Sequence, residues 1–145
     1  MNEKLNEFLE FQEACNDKYI FLGKGGFMGR GVPFECGPGW QAILEELFEE
    51  LEKVRVQEKL EGFTVVQLKE KFGGLRVYTD YHTDITEELV TKAEEKAWKT
   101  CEDCGKPAKN KNVYGWYVTL CPEHLKEYED QQKKWREDDW EDESH

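Results

Sequence analysis

Cys101-Glu102-Asp103-Cys104-Gly105 is followed, after fifteen intervening residues, by Cys121-Pro122-Glu123-His124. No other feature restricts the fold of this chain so strongly. Two residues between the members of each pair let the backbone close in a tight turn, and Gly105 supplies the positive φ such a turn needs. Three thiolates and an imidazole at this spacing are a complete ligand set for a closed, tetrahedral Zn2+ site, structural in role and one per chain. A catalytic zinc keeps one position open, and four protein ligands leave none. The competing reading, a redox C-x-x-C with Cys121 and His124 unrelated to it, lacks the βαβ pattern in which that motif sits.

Between the pairs, Asn112 to Leu120 carries Val113, Tyr114, Trp116, Tyr117 and Val118 around Gly115, which predicts a small hairpin. A helix is expected after Cys121, with Pro122 in its first turn, where a missing N–H costs nothing. A knuckle, a hairpin and a helix whose first turn brings the last two ligands is similar to the treble-clef class of zinc finger.

Upstream, residues 3 to about 15 read as a short amphipathic helix on Leu5, Phe8, Leu9 and Phe11. Residues 16 to 39 hold seven Gly and two Pro and predict loops or short irregular strands. Trp40, Ile43, Leu44, Leu47, Phe48, Leu51 and Val54 fall on one helical stripe that Gly62 closes off. Glu45, Glu46, Glu49, Glu50 and Glu52 lie on the outer face of that helix. Residues 63 to 81 read as a β-hairpin around Gly73-Gly74. Asp84 with Glu87 has capping-box spacing and opens a helix on Ile85, Leu89, Ala93 and Ala97, running to about Lys99.

The expected architecture is therefore α+β: amphipathic helices packed on a small β-hairpin sheet, with a C-terminal treble-clef-like zinc finger. At 145 residues one domain is the expectation, with a helix and hairpin core over 1–99, the finger over 100–136 and a frayed acidic tail over 137–145. Apolar residues reach only 38% while aromatics reach 13%, so few but large side chains must build the core.

Net charge is −12, and residues 122–145 hold ten acidic against four basic side chains, half of that total. Such a field repels nucleic acid and anionic lipid and attracts basic partners; direct nucleic-acid binding and membrane association are not expected. The N-terminus has no apolar run of the kind that directs secretion, so a cytoplasmic location is expected. No grouping of nucleophile, base and oxyanion donors is visible, which argues against an enzyme.

Weaker signals remain. The loop of residues 23–31, rich in Gly, could present N–H groups to an anion, but its order of Gly and Lys is not that of a phosphate loop, and a flexible loop is the expectation. Lys69, Lys71 and Arg76 form a basic spot that either clamps a phosphate or, the preferred reading, pairs with the chain's own carboxylates. Asp80, His82 and Asp84 alternate on one strand face, although the capping role of Asp84 argues against a second metal site. Cys15 and Cys36 lack motif partners and read as ordinary buried or loop thiols.

The block Lys69 to Tyr78 (KEKFGGLRVY), then a helix, then Cys101-x-x-Cys104-Gly105, Gly115-Trp116 and Cys121-x-x-His124 resembles a family of small phage and prophage proteins. The likeness covers roughly residues 40 to 125 and implies the same four zinc ligands; the acidic C-terminal extension lies outside it. In kind, size and charge the chain is also similar to the zinc-containing anti-CRISPR proteins of streptococcal phages that bind Cas9 and keep target DNA from loading. That resemblance implies a non-enzymatic inhibitor in the host bacterial cytoplasm that docks on Cas9. The charge pattern offers two acidic ridges for the contact, Glu45, Glu46, Glu49 and Glu50 or, preferred for its charge density, Asp138, Asp139, Glu141 and Asp142. The alternatives are a nucleic-acid or nucleotide-binding zinc module using Lys69, Lys71 and Arg76, and a structural phage accessory protein.

Overall fold

A computed structural model describes residues 3–143, with side chains as far as Glu137. Helix α1 (Glu3–Lys18) buries Phe8 and Cys15 and half-buries Phe11, a stripe at i, i+3 and i+7. The sequence expectation had placed Leu5 and Leu9 on that stripe. Both are exposed instead, because the helix turns its 8–11–15 side to the core. A single helical turn, α2 (Ile20–Gly23), delivers Phe21 and Leu22 into the interior, both fully buried.

The chain then loops out, returns as the short strand β1 (Phe34–Glu35), and passes through a 3-10 turn, Pro38–Trp40, into α3 (Gln41–Gln57). The stripe read from the sequence is the buried one: Trp40, Ile43, Leu44, Leu47, Phe48 and Leu51 face inward. Phe48 of α3 lies 5.5 Å, centroid to centroid, from Phe34 of β1 and 6.1 Å from Phe21 of α2, and Phe34 in turn packs on Phe8 of α1 at 6.0 Å. Large aromatic side chains thus supply the core that the apolar fraction alone would leave thin.

Strands β2 (Val65–Lys71) and β3 (Gly74–Thr79) form the expected antiparallel hairpin, with Lys71 opposite Gly74. Its two-residue turn, Phe72-Gly73, has φ of +56° and +80°, the left-handed pair of a type I′ turn whose twist matches that of the strands. β1 adds to the other edge of β2 in parallel, giving the order β1-β2-β3. The exposed edge of β3 is covered by α4 (Asp84–Ala97), and the Glu94 carboxylate accepts the Val77 N–H at 3.2 Å.

The cap of α4 differs from the sequence expectation by one residue. Thr83, not Asp84, is the N-cap: its hydroxyl accepts from the Thr86 N–H, and the Thr86 hydroxyl accepts from the Thr83 N–H in return. This turns Thr86, Ala93 and Ala97 inward and leaves Ile85 exposed.

A second sheet follows, β4 (Lys109–Val113) paired with β5 (Trp116–Leu120) through Tyr114-Gly115, again with both φ positive. Helix α5 (Pro122–Glu143) ends the described chain. Its backbone is helical through Glu143, while the side chains of Asp138, Asp139, Glu141 and Asp142, and residues 144–145, lie outside the described residues. Among the described residues no helix is long and apolar enough to cross a membrane.

Candidate metal centre

The knuckle forms where α4 has ended and the chain reverses. Gly105 donates its N–H to the Cys101 carbonyl at 2.9 Å with φ of +84°, and Cys101 donates to the Lys106 carbonyl at 2.7 Å. The second pair arises where β5 passes into α5. Cys121 sits just before the helix, its carbonyl accepts from Leu125, and Pro122 begins the first turn as expected.

Cys101, Cys104, Cys121 and His124 converge, each offering one ligand atom, with all four atoms within 4.8 Å of one another. Cys101 Sγ lies 3.7 Å from His124 Nδ1, Cys104 Sγ 3.7 Å from Cys121 Sγ, and Cys121 Sγ 3.2 Å from His124 Nδ1. A tetrahedron with metal–sulfur bonds of about 2.3 Å and a metal–nitrogen bond of about 2.0 Å has edges of about 3.5 to 3.8 Å. The donors are thus arranged to hold a metal ion, with Nδ1 as the imidazole ligand atom. They form the one such Cys, His and carboxylate group among the described residues.

Electrostatics at the four donors are mixed. The His124 backbone N–H, directed at the sulfur from the first turn of α5, pulls the Cys121 thiol down to about 7. Burial pushes the Cys101 thiol up, against backbone N–H groups of Cys121, Cys104 and Asp103 that favour its thiolate. A bound cation would offset that burial cost, which is why proton release and metal capture go together at such sites.

The centre is tied to the helical core by backbone contacts that the sequence reading missed. Gly39 donates to the Glu102 carbonyl at 2.6 Å, Gly37 donates to the Glu102 carboxylate at 2.8 Å, and the Trp40 indole donates to the Thr100 carbonyl at 2.9 Å. On the other side, the fully buried Thr119 hydroxyl donates to the Gly73 carbonyl at 2.6 Å, and Asn110 Nδ2 donates to the Phe72 carbonyl at 3.0 Å. The Phe72-Gly73 turn is thereby plugged into the β4–β5 hairpin. Gly37-Pro38-Gly39 ahead of a helix was the available sequence signal, since glycines there admit another backbone closely.

The remaining expected site residues are dispersed. Glu45 and Glu49 are exposed and form no ion pair among the described residues, whereas Glu46 is held by Lys96 at 2.9 Å, which lowers its pKa, and Glu50 is half-buried. Lys69, Lys71 and Arg76 lie on the outward face of β2–β3, Lys69 directly opposite Arg76. No salt bridge joins them to the chain's own carboxylates among the described residues, although Arg76 is near enough to Glu94 to favour its anion. Each cation instead lies beside a ring: Lys69 at 5.9 Å from Tyr78, Lys71 at 5.6 Å from Phe72 and Arg76 at 5.9 Å from Trp98.

Asp80, His82 and Asp84 do not converge. Asp80 caps the Thr64 and Tyr81 N–H groups, and His82 faces Glu87. In the 23–31 loop the N–H groups of Gly25, Gly26, Gly29, Arg30 and Gly31 are engaged by carbonyls of the chain and so do not cradle an anion. Cys15 is buried and its thiol is pushed up to about 11 by that burial; burial also raises the half-buried Cys36.

Searches of protein-family models, curated proteins and solved structures give no match to this chain.

Proposed function

We propose that the chain is a non-enzymatic, phage-encoded binding protein of the bacterial cytoplasm that carries one structural Zn2+ and docks an acidic surface on a basic host nucleic-acid enzyme, Cas9 being the foremost candidate. Zinc is the metal that three thiolates and one imidazole in a closed tetrahedron suit best. The observation that carries the docking reading is a row on α5. Exposed Glu123, Glu127, Asp130 and Glu137 recur at i, i+4, i+7 and i+14 on the side away from half-buried Leu125 and Tyr128, and none is ion-paired among the described residues. A helix of 22 residues spans about 33 Å, long enough to lie along a nucleic-acid channel. Cas9 holds its heteroduplex in a positively charged channel that such a row complements.

The test is binding of the zinc-loaded full chain to purified Cas9, and inhibition of target cleavage, over a range of salt. Charge reversal of Glu123, Glu127, Asp130 and Glu137 to Lys should slow association by more than tenfold at low salt, with the difference shrinking as salt rises. Absence of both binding and inhibition would remove Cas9 as the partner. Equal association by the reversed protein would remove α5.

A second reading has its own observation. Lys69, Lys71 and Arg76 form no salt bridge among the described residues and lie beside Tyr78, Phe72 and Trp98, the alternation of cations and rings that single-stranded nucleic acid uses. Titration with single-stranded DNA separates the two. Binding that is lost on changing these three cations to Ala would favour the nucleic-acid module.

A further inference from the structure

The loop between α2 and β1 carries the two most exposed large apolar side chains among the described residues, Phe27 at 81% and Met28 at 73%. Their exposure is built in. Gly26 donates its N–H to the Val65 carbonyl at 2.9 Å and Gly31 closes the loop on the Gly25 carbonyl at 3.0 Å. A Cβ on Gly25 would lie 2.2 Å from the Val65 carbonyl oxygen, and one on Gly26 would lie 2.0 Å from that of Gly31. Met28 is held at φ of +57°, a left-handed conformation that costs a side-chain-bearing residue energy and persists only where its surroundings impose it. A braced loop that holds a Phe-Met pair in water has the form of a docking anchor. Lys24 and Arg30 flank the pair, both exposed and neither ion-paired among the described residues.

The matching feature lies on the same chain. Between α1 and α3 a cleft of about 170 Å³ is lined by Phe11, Cys15 and Tyr19 and rimmed by Glu45 and Glu49, with Lys18 lying on the Tyr19 ring at its mouth. An apolar cavity of about 150 Å³ takes up a benzene ring, so this cleft has room for one Phe or Met side chain. Loop and cleft occupy different flanks of α1. Gln12 and Asn16 bond to Phe34 and Val32 behind the loop, while Phe11 and Cys15 turn toward α3.

We infer that the chain associates with a second copy of itself, the Phe27-Met28 tip of one copy entering the α1–α3 cleft of the other while Lys24 and Arg30 meet Glu45 and Glu49. The socket takes one of the two apolar side chains of the tip, and the two surfaces agree in apolar character and charge. A contact this small belongs with transient interfaces, below about 1,200 Å² of total buried surface, so association is expected in the upper micromolar range.

Sedimentation velocity on the zinc-loaded full chain, from low to high micromolar concentration, reads the association directly. Wild type should show a concentration-dependent rise in weight-average mass. Phe27→Ser with Met28→Ser, both exposed and so tolerated by the fold, should abolish it with metal content and far-UV dichroism unchanged. Lys24→Glu with Arg30→Glu gives an acidic tip and an acidic socket, and Glu45→Lys with Glu49→Lys gives a basic tip and a basic socket. Each protein alone should stay monomeric, and an equimolar mixture, in which every tip meets an opposite socket, should associate again. A wild type monomeric at every concentration, association that survives the Phe27/Met28 change, or a mixture that stays monomeric would each overturn the inference.

Discussion

Gly39 has no room for a side chain. A Cβ there would lie 2.0 Å from the Cys101 carbonyl oxygen and 2.6 Å from that of Glu102, against backbone that also carries two metal-ligand residues. Gly39→Ala must push the knuckle away from the 3-10 turn, and overpacking of this kind costs about 3 kcal/mol. Chemical unfolding should show that loss together with weaker metal retention in a chelator competition; a variant as stable as wild type would show that the seam yields freely. Glu94 carries a different residue-scale consequence. Burial raises its carboxyl above the usual value, although the Val77 N–H and Arg76 favour the anion. The folded chain therefore keeps this proton to higher pH than the unfolded chain does, and stability falls as pH rises from the ordinary carboxylate value toward the native one. Glu94→Gln keeps an acceptor for Val77 and removes the charge. Urea midpoints between about pH 4 and pH 7 should favour the variant increasingly toward the upper end, with protonation of the metal ligands affecting both proteins alike. A pH-independent difference between the two proteins would contradict the burial argument.

At the scale of elements, α4 depends on a cap of two threonines. Thr83→Ala removes the acceptor for the Thr86 N–H and should cost about 1 kcal/mol, read as a lower urea midpoint with an unchanged slope. Asp84→Ala should cost less, because Asp84 lies in the first turn and not at the cap. That one-residue offset shows where the sequence is legible. Periodicity marks α3 plainly, since seven apolar positions on a single stripe admit only one face. It marks α1 poorly, where Leu5, Phe8, Leu9 and Phe11 fit two overlapping faces and only the packing of Phe34 on Phe8 and Phe11 selects one. Both hairpins were legible from Gly73 and Gly115, because a two-residue turn with positive φ needs a residue that tolerates it. β1 was not, as two residues in parallel pairing carry no periodic signal. All four metal donors could be read from spacing alone, because ligand geometry constrains sequence locally. Their attachment to Gly37, Gly39, Gly73 and Thr119 could not, because contacts between distant segments leave only isolated glycines and a threonine in the sequence.

For the molecule as a whole, these attachments decide how far loss of the metal would spread. The Cys101, Leu120 and Cys121 cluster is small and separate from the main hydrophobic core, which argues that it depends on its ligation for folding energy. Yet Gly39 and Trp40, the entry to α3, donate hydrogen bonds to Glu102 and Thr100, and Trp40 is fully buried in the main core. If the centre loosens, the start of the longest core helix loses partners for an amide and an indole N–H, and a buried donor left unsatisfied costs about 1 to 3 kcal/mol. Cys104→Ser, which deletes one donor, or treatment of wild type with a strong chelator, should therefore remove about one equivalent of bound metal, zinc on the proposed reading, and lower the melting temperature. Hydrogen exchange should rise at residues 101–121 and also at 37–40, while amides in the middle of α3, around Leu47 and Phe48, stay protected. Faster exchange confined to residues 100–136 would mean that the finger unfolds as an independent unit and that the seam contributes little. A protein that carries no metal as purified and melts at the same temperature with or without chelator would remove the metal from the account of stability altogether.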